Sequence, residues 1–350
     1  MSDAFALTLG WTMVHTLWLG VLLGGLAWCL RAGLARATPE ARHSVALGAF
    51  VVLLLTPLIV FAVLREPASP AGPALFDAVQ GDGLRPAAAT TRDTLSWVAW
   101  LPWFWLAGTA LTLLSLAREA VALHRLRGDL VLAPSSAQAL AGRLARECRV
   151  TLDVSLRVSQ RVTAPVLVGI VRPLIVLPPA LLAGLTPQQL ELVLLHELAH
   201  LARRDNLVIA VQRLGEALLF FHPVTWWLSR WLRLERESCC DAHVLRHGGA
   251  PAAYARTLLT VAESGSPSLA AAMARNDLPQ RVSRILGRSD RPMPTFGTTA
   301  AVSLTLVAGL GVFASGLQAR VLHDEPVVAP TVPVVSTVPI VGWHHATTDT

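Results

Sequence analysis

The chain has no lysine; all 29 of its basic side chains are arginine. Charge of either sign is scarce. Only 15% of the 350 residues are charged, while 53% are hydrophobic and the mean hydropathy is +0.52. An ordinary soluble enzyme carries roughly 25% charged residues, so this composition points to membrane spans instead. Cysteine occurs four times, at Cys29, Cys148, Cys239 and Cys240, without the paired spacing of a disulfide framework or a zinc ribbon. A pI near 10.3 raises nucleic acid as a partner. The arginines, however, are spread along the chain with no basic-aromatic alternation and no helix-turn-helix pattern, so no direct nucleic-acid binding is expected. The long apolar runs carry no acidic residue, which removes the usual mark of a transporter.

Four runs are long and apolar enough to cross a bilayer. The first covers residues 6–30, and the Met-Ser-Asp start has no basic region of a signal peptide, so a retained span is expected. The second covers residues 44–64 and contains Pro57. The third, residues 95–117, opens on Trp97, Trp100, Trp103 and Trp105, an aromatic belt. The fourth covers residues 297–317. Arg31, Arg36 and Arg42 follow the first span, and most remaining arginines lie between Arg118 and Arg291. By the positive-inside rule, residues 118–291 form a cytoplasmic domain behind a three-span region of residues 1–117. The Pro- and Gly-rich loop from Arg65 to Thr94 and a disordered tail of residues 318–350 then face outside. The expected location is a bacterial-type inner membrane.

Inside the cytoplasmic portion, Thr186 to Asp205 reads as an amphipathic helix. Thr186 and Gln189 make a capping box around Pro187 at the first helical position. Its centre is His196-Glu197-Leu198-Ala199-His200. Residues four apart share a helix face, so His196 and His200 point two imidazoles at one ion. Glu197 is placed to take a proton from the attacking water. Ahead of it, a helix over residues 136–148 is followed by three short strands around Val154–Val158, Pro165–Gly169 and Pro173–Leu177. An exposed edge of such a sheet can pair with an extended peptide substrate. Asp205 caps the next helix, up to Phe221, which is expected to pack under the active site. A longer helix from Val224 to His247 carries Glu237 and Asp241 four apart on one face. A catalytic zinc takes three protein ligands, and a ligating histidine commonly gives its other N–H to a carboxylate. Glu237 as third ligand and Asp241 as orienting carboxylate supply both. Tyr254, the only tyrosine, and His222 are catalytic candidates as donors to an oxyanion, with His243 a further candidate. Residues 275–288 read as a basic helix suited to anionic headgroups.

The segments Leu195 to Asp205, Phe221 to Trp227 and Arg233 to Asp241, with Ala164 to Gly169 and Arg172 to Pro178 upstream, closely resemble the BlaR/MecR family of antirepressor membrane metallopeptidases. That resemblance implies a gluzincin-like zinc site with His196, His200 and Glu237 as ligands and Glu197 as catalytic base. The best-known members carry a penicillin-binding sensor after the fourth span. Here only 33 residues follow residue 317, with no Ser-x-x-Lys motif, so that sensor is not expected. The fold expected is an α+β membrane protein: four transmembrane helices and a mainly helical zinc-peptidase domain with a small sheet. The function expected is a membrane zinc endopeptidase whose protein substrate is a cytoplasmic repressor. The alternative is a non-catalytic signal transducer in which the metal is structural.

Overall fold

The computed structural model describes residues 3–65, 96–150, 154–169, 173–264 and 269–287. The expected fourth span and the tail lie outside the described residues, as does nearly all of the loop between Arg65 and Thr94.

Three long helices come first: α1 (Asp3–Gly33), α2 (Pro39–Arg65) and α3 (Leu101–Leu126). With their flanking turns they give stretches of 32, 27 and 33 residues that are long and apolar enough to cross a membrane. They contain the first two predicted spans and residues 97–117 of the third. Phe5 near the start of α1 meets Phe61 near the end of α2 edge-on, with ring centroids 5.9 Å apart, so the two helices run antiparallel. Much of their outward surface is apolar: Phe104 is 71% exposed, Leu111 68% and Leu58 66%. Leaving such side chains in water rather than in an apolar medium costs roughly 1.5–3 kcal/mol each.

A short strand β1 (Val131–Leu132) leads into α4 (Ser135–Glu147), and then come β2 (Ser155–Val158), β3 (Val166–Val168) and β4 (Leu174–Leu177). The sheet order is β1-β2-β4-β3, with β2 and β4 parallel and the other two pairings antiparallel. Leu156 and Leu167 both stand opposite Ile175. Leu156 and Ile175 are fully buried in a core shared with Ala141 and Leu144 of α4. β3 is an edge strand.

Next come α5 (Pro179–Gly184), α6 (Pro187–Ala202), α7 (Asp205–Leu218), α8 (Pro223–Arg246), α9 (Pro251–Ser264) and α10 (Leu269–Ile285). The predicted capping box on α6 is formed: Gln189 N–H donates to Thr186 Oγ1 at 3.2 Å, and Thr186 N–H donates to Gln189 Oε1 at 3.0 Å. β1 and α5, at two and six residues, are too short to leave a periodic signal.

The turn joining α7 to α8 is driven between two of the membrane-length helices. Trp105 Nε1 donates to the Leu218 carbonyl at 2.8 Å, and Thr112 Oγ1 donates to the Ala217 carbonyl at 3.2 Å. Gly108 of α3 faces the Phe220 ring and Gly20 of α1 faces the His222 ring, each so closely that any Cβ would clash. These contacts fall mid-way along α1 and in the first half of α3. The end of α7 therefore lies against the spans rather than under the active site, correcting the sequence expectation. The reason is the pair of glycines, whose missing Cβ atoms admit two rings. Behind the turn, Trp231, Leu228 and Leu232 of α8 bury against Phe50 and Leu53 of α2. Truncating an aromatic side chain in such a core costs about 3–5 kcal/mol.

Between α7 and α8 runs a buried polar seam. Gln212 Nε2 donates to the Ser229 hydroxyl, which itself donates to Glu216. Arg233 Nη1 donates to Glu216 at 3.2 Å. Such a seam tolerates burial because each member has a partner. It holds α8 at a fixed rotation.

Candidate metal centre

α6 and α8 pack side by side, and three side chains meet between them. His196 Nε2 lies 3.4 Å from Glu237 Oε2, and His200 Nε2 lies 3.7 Å from Glu237 Oε1. The two imidazoles stand edge to face, their centroids 4.9 Å apart. Nitrogen and oxygen ligands about 2.0–2.2 Å from a tetrahedral zinc stand about 3.4 Å from one another. The donor set therefore fits a zinc-sized ion. His196, His200 and Glu237 form one of three such groupings of metal-ligating atoms among the described residues.

What orients the two histidines is the far side of each ring. Tyr254 Oη donates to Asp241 Oδ1 at 2.7 Å, so at 2.9 Å from His196 Nδ1 it accepts that ring's N–H. His200 Nδ1 lies 2.8 Å from Asp205 Oδ2 and donates to it. These bonds fix Nδ1 as the N–H of each ring, so Nε2 is the nitrogen that faces Glu237 and the one that takes an ion once its proton is displaced. Cys240 Sγ is also on the Nδ1 side of His200, at 3.3 Å, and so stands behind that ring. Burial pushes its thiol well up, and Cys239 is likewise raised, to about 11.

Asp241 is the hub. Besides Tyr254 it accepts from Arg281 Nε at 2.9 Å and Arg281 Nη2 at 2.6 Å. Arg281 Nη1 also reaches Glu237 Oε2 at 3.4 Å. Burial alone would raise the Asp241 carboxyl, but Arg281 and His196 hold it below the usual carboxylate range. Glu237 is held well below that range: burial opposes, and His200, His196 and Arg281 outweigh it. Burial would lower His196, yet Asp241 and Glu237 raise it to about 9. The pocket is thus built to hold positive charge.

Glu197 is 8% exposed, and its carboxylate makes no hydrogen bond or ion pair with the described residues. It follows His196 on α6 and is left unengaged, while the two imidazoles are each tied at the back.

The remaining sequence candidates fall elsewhere. Tyr254 is fully buried behind His196, on the Nδ1 side, with its proton committed to Asp241. Burial and Asp241 push its phenol well up. His222 Nδ1 accepts the Val224 amide at 3.1 Å, and Nε2 is bonded to the Leu17 carbonyl of α1 at 3.1 Å. It precedes Glu237 by fifteen residues, roughly 22 Å along α8 at 1.5 Å per residue. The structure places neither residue where it would meet a substrate carbonyl at Glu237. His243 bonds Cys148 Sγ at 3.4 Å instead. Asp205 is the first residue of α7, 1% exposed, and not its cap. Arg204 before it adopts φ 56°, a left-handed turn that costs roughly 1–2 kcal/mol. That turn swings Asp205 back onto His200. Arg281 belongs to this site as well, although its helix reads in sequence as a basic segment suited to headgroups. Its position forty residues beyond Asp241 left no local signal.

A helix-borne H-E-x-x-H pair completed by a glutamate from a neighbouring helix, beside three membrane-length helices, defines a membrane protein of metallopeptidase type. The family profile described as BlaR1 peptidase M56 matches residues 11–285. The chain belongs to that family. Its curated relatives include the Regulatory protein BlaR1 of Bacillus licheniformis, 29% identical over 143 residues, which is 41% of this chain and 24% of that protein. The Methicillin resistance mecR1 proteins of Staphylococcus aureus and Staphylococcus epidermidis are each 24% identical over 93 residues, 27% of this chain and 16% of theirs. The matched stretch thus spans a quarter or less of each relative. Together with the apolar helices, this makes the chain an integral membrane protein of a regulatory peptidase family.

Proposed function

We propose that the protein is a zinc endopeptidase that cuts a cytoplasmic protein, in the manner of an antirepressor acting on a transcriptional repressor. The observation that carries this reading is the pairing of two back-tied histidines with an unengaged Glu197. His196 Nε2, His200 Nε2 and Glu237 would hold the zinc. When bound, zinc supplies a Lewis acid that polarises a peptide carbonyl and acidifies water.

The rest is the work of this chain's own groups. Glu197 accepts the proton of the attacking water and returns it to the departing amine, a role that needs a carboxylate with no competing partner. Asp205 and the Tyr254–Asp241 pair hold the two rings in register. β3 has one edge without a strand among the described residues, and Asn206 Nδ2 donates to the Gly169 carbonyl at its end. This tether sets the free strand edge beside the residues that brace His200. An extended peptide added there runs past the cluster. Arg42 in the first turns of α2 bonds Glu235 at 2.7 Å, two residues from Glu237, which supports an active site at the cytoplasmic face of the membrane. In that reading residues 118–291 are the catalytic domain, and residues 297–317 complete a four-span anchor in the lipid bilayer.

A transducer with a purely structural metal has no use for an unengaged carboxylate at position 197. The test is a proteome comparison between cells carrying the wild type and cells carrying Glu197→Gln, under conditions that activate the protein. A cytoplasmic protein cleaved only in the first is expected. Identical cleavage patterns would leave the transducer.

A further inference from the structure

A second set of soft donors sits at the far end of α8, apart from the cluster already described. We propose that Cys148, His243 and His247 form a second metal site, suited to a thiophilic divalent ion of the zinc type. The three residues offer Sγ and two imidazole nitrogens within 4.8 Å of one another. Cys148 Sγ lies 3.4 Å from His243 Nε2. Sulfur at about 2.3 Å and nitrogen at about 2.0 Å from a tetrahedral zinc stand about 3.5 Å apart. The pair is therefore at ligand spacing before any ion is bound.

The helix supplies the rest of the geometry. His243 and His247 are four apart on the last turns of α8, and their rings lie 4.1 Å apart, centroid to centroid. His247 Nδ1 is 2.9 Å from the His243 carbonyl and donates to it, so the lone pair of His247 is on Nε2. This is the same device that prepares His200, here with a backbone acceptor. Cys148 ends α4, where Arg149 takes φ 54° and the Val150 amide returns to the Ala145 carbonyl at 2.9 Å. The thiol is brought to α8 by that cap.

Cys148 and His243 are partly buried and His247 is exposed, so an ion reaches the site from solvent. On binding, the S–H bond of Cys148 breaks, a sulfur–metal bond forms, and one proton leaves to solvent. Three protein ligands leave one position for water. Such an ion would pin the end of α4 to the stretch of α8 two residues beyond Asp241, and so brace the hub behind His196.

Cobalt(II) titration of the purified full-length protein in detergent tests this directly. The primary cluster contains no sulfur, so a near-ultraviolet thiolate-to-cobalt band reports the second site. The wild type is expected to bind two cobalt ions and show the band. Cys148→Ser and His243→Gln are each expected to lose the band and one ion while keeping the other. The band should persist in Cys240→Ser, which removes the one thiol near His200, and in the His196→Gln/His200→Gln variant. A wild type without the band overturns the proposal, as does a band that survives Cys148→Ser. Failure of the primary cluster would instead remove the band-free ion, so the two outcomes are distinguishable.

Discussion

Replacing Asp241 with asparagine removes the negative charge that ties the metal cluster to α10. Asp241 is 6% exposed at its side chain and Arg281 16%. The carboxylate accepts two bonds from Arg281, at 2.6 and 2.9 Å, and one from Tyr254 at 2.7 Å. At an effective dielectric of 20 and about 2.8 Å, the gross attraction between the two charges is about 6 kcal/mol. Desolvation offsets much of this. Removing one partner of a buried pair costs about 3–5 kcal/mol, because the other charge stays behind. In Asp241→Asn the nearest remaining anion for Arg281 is Glu237, at 3.4 Å. Arg281 then competes with the ion for its third ligand, and the N–H acceptor chain behind His196 loses its charge. A 10–100-fold loss of metal affinity is expected from such a change. Chelator-competition titration with zinc, alongside thermal melts in detergent, measures both effects. Asp241→Asn/Arg281→Met should recover most of the stability, since neither charge is stranded, and little of the affinity. Wild-type stability and affinity in Asp241→Asn would refute the reasoning, as would a double variant no more stable than the single one.

Thr186→Ala removes the side-chain half of the capping box on α6 and should lower stability by about 1 kcal/mol, read as a lower melting temperature with metal stoichiometry unchanged. Zinc affinity should rise with pH. His196 is raised to about 9, above the usual histidine value, so its imidazole holds a proton at neutral pH that the ion must displace. The sign is therefore a gain of up to about tenfold per pH unit that levels off as pH passes the raised value. A flat titration between neutral pH and that value would contradict it.

Parts of this molecule could be read from local pattern because their causes are local. Thr186, Pro187 and Gln189 lie within one turn, and the capping box they promise is formed. Leu156 lies in the alternation Val154-Ser155-Leu156-Arg157-Val158 and Ile175 in a short apolar run bounded by prolines, and both belong to strands. His196 and His200 share a face by helical period alone. Glu237 and Asp241 stood out because they are four apart on a helix that follows the His196–His200 helix, and Glu237 does meet both imidazoles. What escaped depends on the chain folding back. Asp205 reaches His200 only because Arg204 adopts a left-handed conformation, which arginine does not advertise. Tyr254 reaches His196 only after Gly248, at φ 90°, ends α8 and lets α9 return along α6. Arg281 looked like one charge of a basic helix, and its burial against Asp241 is set by packing of α10 on α8. The seating of the α7–α8 turn depends on Gly20 and Gly108, whose meaning appears only when His222 and Phe220 arrive opposite them.

The most direct measurement pairs metal content with peptide hydrolysis in purified wild type and Glu197→Gln. Equal zinc content and equal melting temperature are expected, with cleavage slowed about 10²–10⁴-fold in the variant, the range for loss of a general base. Cleavage by Glu197→Gln at the wild-type rate, with zinc bound, would contradict it.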